Sequence, residues 1–386
     1  MKMNTQDLLS PVTQRSRPVV SFPASQSLWA STTLKTGTIS TGISQLDDAV
    51  CTPSTEGDDD GDDDDGDDGD DDADCRGIHQ GHVTEVYGPP GVGKTSLALN
   101  IASNALQTGA KVVWIDTGSP LPRLRLRSIL LKSIQSSEST ESPEELMKNL
   151  VYFRAQSLPH LLALLLHPPT GFPPDDSKLM VIDSASAPFP SYFSNPTELK
   201  ARLAQSRTTD KSHIQWLMNR NSNVTSDLAN QLTKLATAHN LAVLVINQTR
   251  TKIKGQPRAT LCPVLAGGAW ESSVYTRIVM YRDFPSDEED TPKNVRFAEV
   301  TKRTGKMLAL RLESNIIPFV IERDGLRGLD KYQSPRMVAL NSKEDPNKNG
   351  QRKRKVDEIS DSQDEGDSDA EYGWIDGDDA GLLEQD

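Results

Sequence analysis

One run of eight residues, Gly88-Pro89-Pro90-Gly91-Val92-Gly93-Lys94-Thr95, has the types and spacing of a phosphate cradle, G-x-x-x-x-G-K-[ST]. Glycines at such positions let backbone N–H groups turn inward around phosphate oxygens. A helix starting at the end of the run adds its partial positive charge. Lys94 is then expected to reach the β- and γ-phosphates, and the Thr95 hydroxyl to ligate Mg²⁺. The bland alternative is an ordinary Gly-Pro turn. Context separates the two: the motif requires a strand before the loop and a helix after it.

Both are legible. His82–Tyr87 reads as a strand, and Lys94–Leu106 as a helix ended by Gly109. Lys111–Ile115, Lys178–Ile182 and Leu241–Ile246 read as buried strands, with Leu150–Arg154 a shorter one. Arg125–Ile134, Leu158–Leu166 and Ser226–His239 read as helices between them. Strands apolar on both faces, alternating with helices, predict an α/β fold with a parallel central sheet covered on both sides. After Gly267 the pattern changes. Arg277–Arg282, Val295–Lys302, Met307–Glu313 and Pro318–Arg323 read as consecutive strands, predicting an antiparallel C-terminal extension.

Two strand ends complete the expected nucleotide site. Leu179-Met-Val-Ile-Asp183 places a carboxylate at the sheet edge beside the loop, where it would hold the water shell of Mg²⁺; a capping Asp is the alternative. Val245-Ile-Asn247-Gln248 places an amide where it would touch a γ-phosphate; a turn amide is the alternative.

Composition bounds the rest. The 386 residues carry a net charge of −13 and are only 35% hydrophobic, below the usual share for a globular chain. The charge is unevenly placed: 58–74 holds thirteen Asp and no basic residue, and Lys343–Asp386 is net −9. Without those two segments the remainder is net +9. Three widely spaced cysteines, Cys51, Cys75 and Cys262, exclude a disulfide scaffold and a zinc module, and fit a reducing compartment. No apolar run approaches the ~20 residues of a membrane span, and no secretory signal opens the chain. The expected organisation is a mostly disordered segment at 1–40, a core at 41–340 interrupted by the acidic insertion 58–74, and a disordered tail at 341–386.

Taken together, these motifs resemble the RecA-type recombinase family. The order is the loop at 88–95, Ile115-Asp116-Thr117, Val181-Ile-Asp183-Ser184-Ala185, Ile246-Asn247-Gln248, Gly267-Gly268 and Thr276-Arg277. Thr41-Gly42-Ile-Ser-Gln-Leu46-Asp47 resembles the entry segment of eukaryotic members, and Gly267–Phe284 is similar to their recombinase paralogues, which are accessory subunits. The resemblance implies a RecA-like core that binds ATP with Mg²⁺. It assigns Lys94 and Thr95 to phosphates and metal, Asp183 to the metal side and Gln248 to γ-phosphate sensing, so that Lys94 and Gln248 act at the reacting phosphate. Arg125 falls where family members stack an arginine on adenine; a solvated helix charge is the alternative.

The chain departs from the family at one position. Members carry a Glu directly after the Asp-Thr pair, to position the attacking water; here Gly118 follows Thr117. General-base assistance is worth about 10²–10⁴-fold, so the expectation is ATP binding with slow hydrolysis. Glu85 and Asp116 are the nearby acids, with Asp116 a possible partial substitute.

The family also places DNA-binding loops at two segments. Ala187–Val224 includes Lys200, Arg202, Arg207, Lys211 and Arg220. Thr249–Leu265 includes Arg250, Lys252, Lys254 and Arg258, a density that suits phosphate neutralisation; a solvated face is the alternative. Few aromatics interleave, which predicts little base specificity. The implied partners are single-stranded DNA, another recombinase paralogue as a heterodimer, and the main recombinase filament. Phe22 is a candidate for subunit docking. Gln351-Arg-Lys-Arg-Lys355 resembles a nuclear import signal, which places the protein in the nucleus. Val356–Ser362 resembles a ubiquitin-like-modifier binding segment, and four Ser/Thr-Gln pairs fit checkpoint-kinase sites. The competing readings are a strand-exchange recombinase with DNA-stimulated ATPase activity, and a RecA-like scaffold that does not act on DNA.

Overall fold

The computed structural model describes residues 37–51, 76–137, 141–193, 211–252, 260–282, 294–310 and 312–329, all within the unit Gly37–Asp386. Expectations for 1–36, the acidic run 58–74, Lys200, Arg202, Arg207, Lys254, Arg258 and the tail beyond 329 lie outside the described residues, as does the side chain of Lys211.

The chain opens with β1 (Thr38–Ile39), α1 (Ser44–Val50), β2 (Ile78–His79), β3 (Val83–Tyr87), α2 (Lys94–Gln107), β4 (Lys111–Asp116) and α3 (Arg123–Ser137). It continues through α4 (Pro143–Leu146), β5 (Leu150–Arg154), α5 (Leu158–Leu166), β6 (Ser177–Asp183), α6 (Phe189–Tyr192), α7 (Lys211–His239) and β7 (Ala242–Asn247). A hairpin, β8 (Thr249–Lys252) and β9 (Thr260–Pro263), precedes α8 (Gly268–Ser273) and β10 (Val274–Tyr281). The remaining strands are β11 (Arg296–Arg303), β12 (Lys306–Met307), β13 (Ile316–Glu322) and β14 (Gly325–Gly328).

The central sheet runs β14-β13-β11-β10-β3-β7-β6-β4-β5, with β12 pairing β11. Its six strands from β10 to β5 are mutually parallel. The strands β11 to β14 add antiparallel. This is the α/β architecture expected, and side-chain alternation explains why both faces are covered. Val112, Trp114, Leu179, Val181, Leu244 and Ile246 pack with α2 and α3 on one face. Val113, Ile115, Met180, Ile182, Val243 and Val245 point the other way, onto α5 and α7. Successive strand residues face opposite sides, so a strand apolar throughout needs helices on both.

Three elements differ from expectation. The strand predicted at Met307–Glu313 is confined to Lys306–Met307. β13 takes only Arg296–Glu299 of one edge of β11, and beyond it β12 pairs with Lys302–Arg303 while the Leu308 N–H donates to Thr301 O (2.9 Å). Met307, Leu310 and Leu312 consequently lie exposed. The helix read from Ser226 begins fifteen residues earlier, at Lys211. Only its later turns carry the apolar stripe Leu228, Leu232, Leu235 and Ala236, which is what made them legible. Finally, Thr249–Leu265, expected as a loop, contains the β8–β9 hairpin, with Arg250 opposite Cys262 and Lys252 opposite Thr260.

Candidate nucleotide and nucleic-acid site

Register sets the geometry. Tyr87 lies beside Asn247, Asp183 beside Ile246, and Asp116 beside Asp183. The C-terminal ends of β3, β4, β6 and β7 therefore stand level, and the loops that follow them share one sheet edge. Ligands of open α/β sheets bind outside such an edge.

The phosphate-loop motif leaves β3 at Gly88 and opens α2 at Lys94. Gly91 and Gly93 hold φ of 78° and 109°, values open to glycine and costly for other residues. Gly93 also admits a close approach: a Cβ there would lie 2.5 Å from Ile321 Cδ1. The Lys94 ammonium donates to the carbonyls of Gly88 (2.6 Å) and Pro89 (2.9 Å), so it folds back over the loop it is expected to serve. Burial pulls the Lys94 pKa below the usual lysine value, against the opposing pull of Asp183.

The Thr95 hydroxyl donates to Asp183 Oδ2 at 2.8 Å, which joins the two residues expected on the metal side. Burial raises the Asp183 pKa, the Thr95 hydrogen bond opposes it, and Asp116 adds to the rise. Among the described residues no three His, Cys, Asp or Glu side chains form a metal cage. Mg²⁺ is commonly held by one or two protein groups together with substrate phosphates, and the Thr95–Asp183 pair would supply two. A glycine loop at positive φ, a half-buried lysine and a Thr–Asp pair are a donor set that fits a nucleoside triphosphate with Mg²⁺.

Gly118 lies beside this pair. Thr117 locks the turn to the end of β6: its N–H donates to Asp183 O (3.0 Å) and its hydroxyl to Ser184 O (2.6 Å). Neither nearby acid is free to replace the absent Glu. Asp116 is fully buried; its Oδ1 accepts the Gly118 N–H (2.9 Å) and its Oδ2 the Tyr152 hydroxyl (2.8 Å). Glu85, also fully buried, accepts from Asn247, Trp270 and Arg277.

Gln248 is exposed at the junction of β7 and the hairpin. Its backbone N–H donates to Ser186 Oγ (2.8 Å), and its carbonyl accepts the Val264 N–H (2.9 Å). Arg250 and the backbone of Lys252 follow on β8. Near the other expected loop, Arg220 donates to the Tyr192 hydroxyl at 2.6 Å and lies 5.0 Å over that ring and 5.8 Å over Phe193. Arg125 occupies the first turn of α3 and donates to the Glu322 carbonyl (3.3 Å); its buried Nε has no hydrogen-bond partner among the described residues. It is neither a freely solvated charge nor paired with an acid there.

Sequence reasoning missed the Thr117–Ser184 lock, Ser186, Tyr152 and the bonds of Glu85. Each acts through a contact between strands distant in the chain, which no local spacing encodes.

A glycine-rich loop between strand and helix, a Thr–Asp pair across to a second strand and an amide just past a third define a P-loop core of RecA-like type. The Rad51 family model matches residues 70–266, half of the chain. The chain belongs to the Rad51 family. Members of that family bind ATP with Mg²⁺. The chain is 27% identical over 249 residues to the DNA repair protein rhp55 of Schizosaccharomyces pombe, covering 55% of this chain and 71% of that one. It is 26% identical over 219 residues to the DNA repair protein RAD51 homolog 3 of Dictyostelium discoideum, covering 52% and 51%. It is 26% identical over 176 residues to the DNA repair and recombination protein RadB of Methanocaldococcus jannaschii, covering 46% and 69%. The chain thus spans about half to seven-tenths of the length of these relatives.

Proposed function

We propose that the chain is an ATP-binding accessory factor of recombinational DNA repair. In this reading it binds single-stranded DNA, pairs with another Rad51 paralogue, and helps to assemble or stabilise the recombinase filament in the nucleus. The observation that carries it is Lys94 folded over the glycine loop and Thr95 bonded to Asp183, the residues expected for phosphate and metal, beside a Gly118 that has no side chain to act as a base. Lys94 would neutralise the β- and γ-phosphates once it releases the Gly88 and Pro89 carbonyls. Thr95 and Asp183 would hold Mg²⁺, which when bound neutralises phosphate charge. Gln248 would meet the γ-phosphate, and the hairpin that follows it would carry Arg250 and Lys252 to DNA phosphates, with Lys254 and Arg258 adding to that charge. Arg125 would meet the adenine. ATP would then act as a ligand that favours one conformation, rather than as fuel.

The test is ATP turnover by the purified protein, with and without single-stranded DNA, measured alongside nucleotide binding. The accessory reading expects binding with negligible turnover. Brisk DNA-stimulated turnover would instead support a strand-exchange recombinase. Failure to bind single strands at low salt would support a scaffold that does not act on DNA.

A further inference from the structure

Glu85 has no part in the nucleotide chemistry above, yet it is fully buried on β3, three residues before the phosphate loop begins. Its Oε1 accepts from Asn247 Nδ2 (2.7 Å) and from the Trp270 indole N–H (2.9 Å), and its Oε2 from Arg277 Nε (2.5 Å). Arg277 also donates to Glu271 Oε2 at 2.6 Å, and the Lys302 ammonium donates to the Glu271 carbonyl. Burial disfavours charge on Arg277, but the Glu85 and Glu271 carboxylates outweigh it and hold its pKa above the ordinary value.

Asn247 is the second half of the arrangement. Its Nδ2 donates to Leu265 O (3.0 Å), while its Oδ1 accepts the Leu265 N–H (3.3 Å). Gln248 O accepts the Val264 N–H at 2.9 Å. The two roots of the β8–β9 hairpin, 247–248 and 264–265, are thereby zipped together, and the zip is tied to the strand that carries the phosphate loop. Apolar replacement of a buried ion pair is often neutral or stabilising, so stability alone does not account for charge at this place; fixing a register does.

We propose that Glu85 is a positioning residue: through Asn247 it fixes the hairpin root to β3, so that nucleotide occupancy sets how the hairpin meets single-stranded nucleic acid. This rests on the nucleotide and single-strand binding proposed above.

The test follows hydrogen exchange at 247–252 and 260–265 in the full chain, with and without a non-hydrolysable ATP analogue and Mg²⁺, and in parallel the affinity for a labelled single strand. In the parent protein the nucleotide is expected to slow exchange in the hairpin and to tighten single-strand binding at least about five-fold, the lower end of ordinary coupling. Glu85→Ala removes the acceptor of both Asn247 Nδ2 and Arg277 Nε. It is expected to keep nucleotide binding and to lose the nucleotide-dependent protection at 247–252 and 260–265, with the affinity gain falling toward one-fold. Asn247→Ala spares the Glu85–Arg277 pair, so it guards against a folding defect, and is expected to give the same loss. Hairpin protection that does not respond to nucleotide in the parent, or that persists in Asn247→Ala, overturns the proposal. A hairpin that responds while no single strand binds retains the positioning role and refutes the DNA-binding reading instead.

Discussion

Gly118→Glu should convert the protein into a faster ATPase. The position accepts a side chain: an added Cβ meets no atom within 4 Å, the residue is exposed, and its φ is not among the positive values. Its N–H bond to Asp116 Oδ1 is a backbone bond and survives the substitution. The lock of Thr117 onto Asp183 and Ser184 would hold the new carboxylate beside the metal-side pair. A general base contributes about 10²–10⁴-fold, which lowers the barrier by about 2.7–5.4 kcal/mol. Steady-state phosphate release, with and without single-stranded DNA, reads the effect. Gly118→Gln, of like size and without basicity, should bind nucleotide equally and gain nothing. If Gly118→Glu binds nucleotide normally and turns over no faster than Gly118→Gln, then the missing carboxylate is not what limits hydrolysis.

Lys94→Ala should weaken binding of a fluorescent ATP analogue by about 10–100-fold, the worth of a charge-assisted bond of about 1.5–3 kcal/mol, with the melting temperature little changed. Arg250→Ala with Lys252→Ala should weaken single-strand binding uniformly across sequences and flatten the log K against log salt slope by about 0.7 for each phosphate no longer neutralised; an unchanged slope would remove the hairpin from the DNA interface. His79 and His82 flank Tyr275, the His82 ring stacked on it at 3.8 Å, and burial lowers both pKa values, with the His82 charge adding at His79. The unfolded chain therefore takes up protons near 6.5 while the folded chain resists them, so stability should be full above pH 6.5 and fall as pH drops below it. His79→Phe keeps the ring contact, removes a buried unpartnered Nδ1, and should flatten that dependence in denaturant titrations at about pH 5.5 and 8.

The parallel half of the fold was legible because burial on both faces leaves a mark that needs no partner to be seen. Lys111–Asp116, Ser177–Asp183 and Ala242–Asn247 are apolar nearly throughout, and their predicted ends fall within a residue or so of the observed ones. The edge elements carry no such mark. Lys306–Met307 pairs only with Lys302–Arg303, and the four-residue strands β8 and β9, TRTK and TLCP, are too short and mixed to show a sustained apolar run. The candidate nucleotide residues were legible for a related reason: Gly88–Thr95 is one contiguous run, and Asp183 and Gln248 lie at or just beyond strand ends that the apolar runs already fix. Arg125 shows the limit, since its tie to Glu322 crosses 197 residues of chain.

On the proposed reading, a nucleotide site can persist without its base. In that reading, Gly118 lacks the group that would make a γ-phosphate reactive, while the groups that would sense a γ-phosphate are kept. Gln248 remains at the end of β7, and immediately before it Asn247 is held to Glu85 and to Leu265. A ligand shifts a conformational equilibrium only by its differential affinity for the two states, and that differential requires contacts, not turnover. Loss of hydrolysis would lengthen the life of the ATP-bound form and so of the hairpin orientation it favours. In an accessory subunit this is the useful direction of change, because a partner filament would be supported for as long as the nucleotide stays intact. Gly118→Glu should then shorten the life of single-strand complexes in the presence of ATP and leave it unaltered with a non-hydrolysable analogue. Equal lifetimes with the two nucleotides, at accelerated turnover, would show that hydrolysis and hairpin orientation are not linked in this protein.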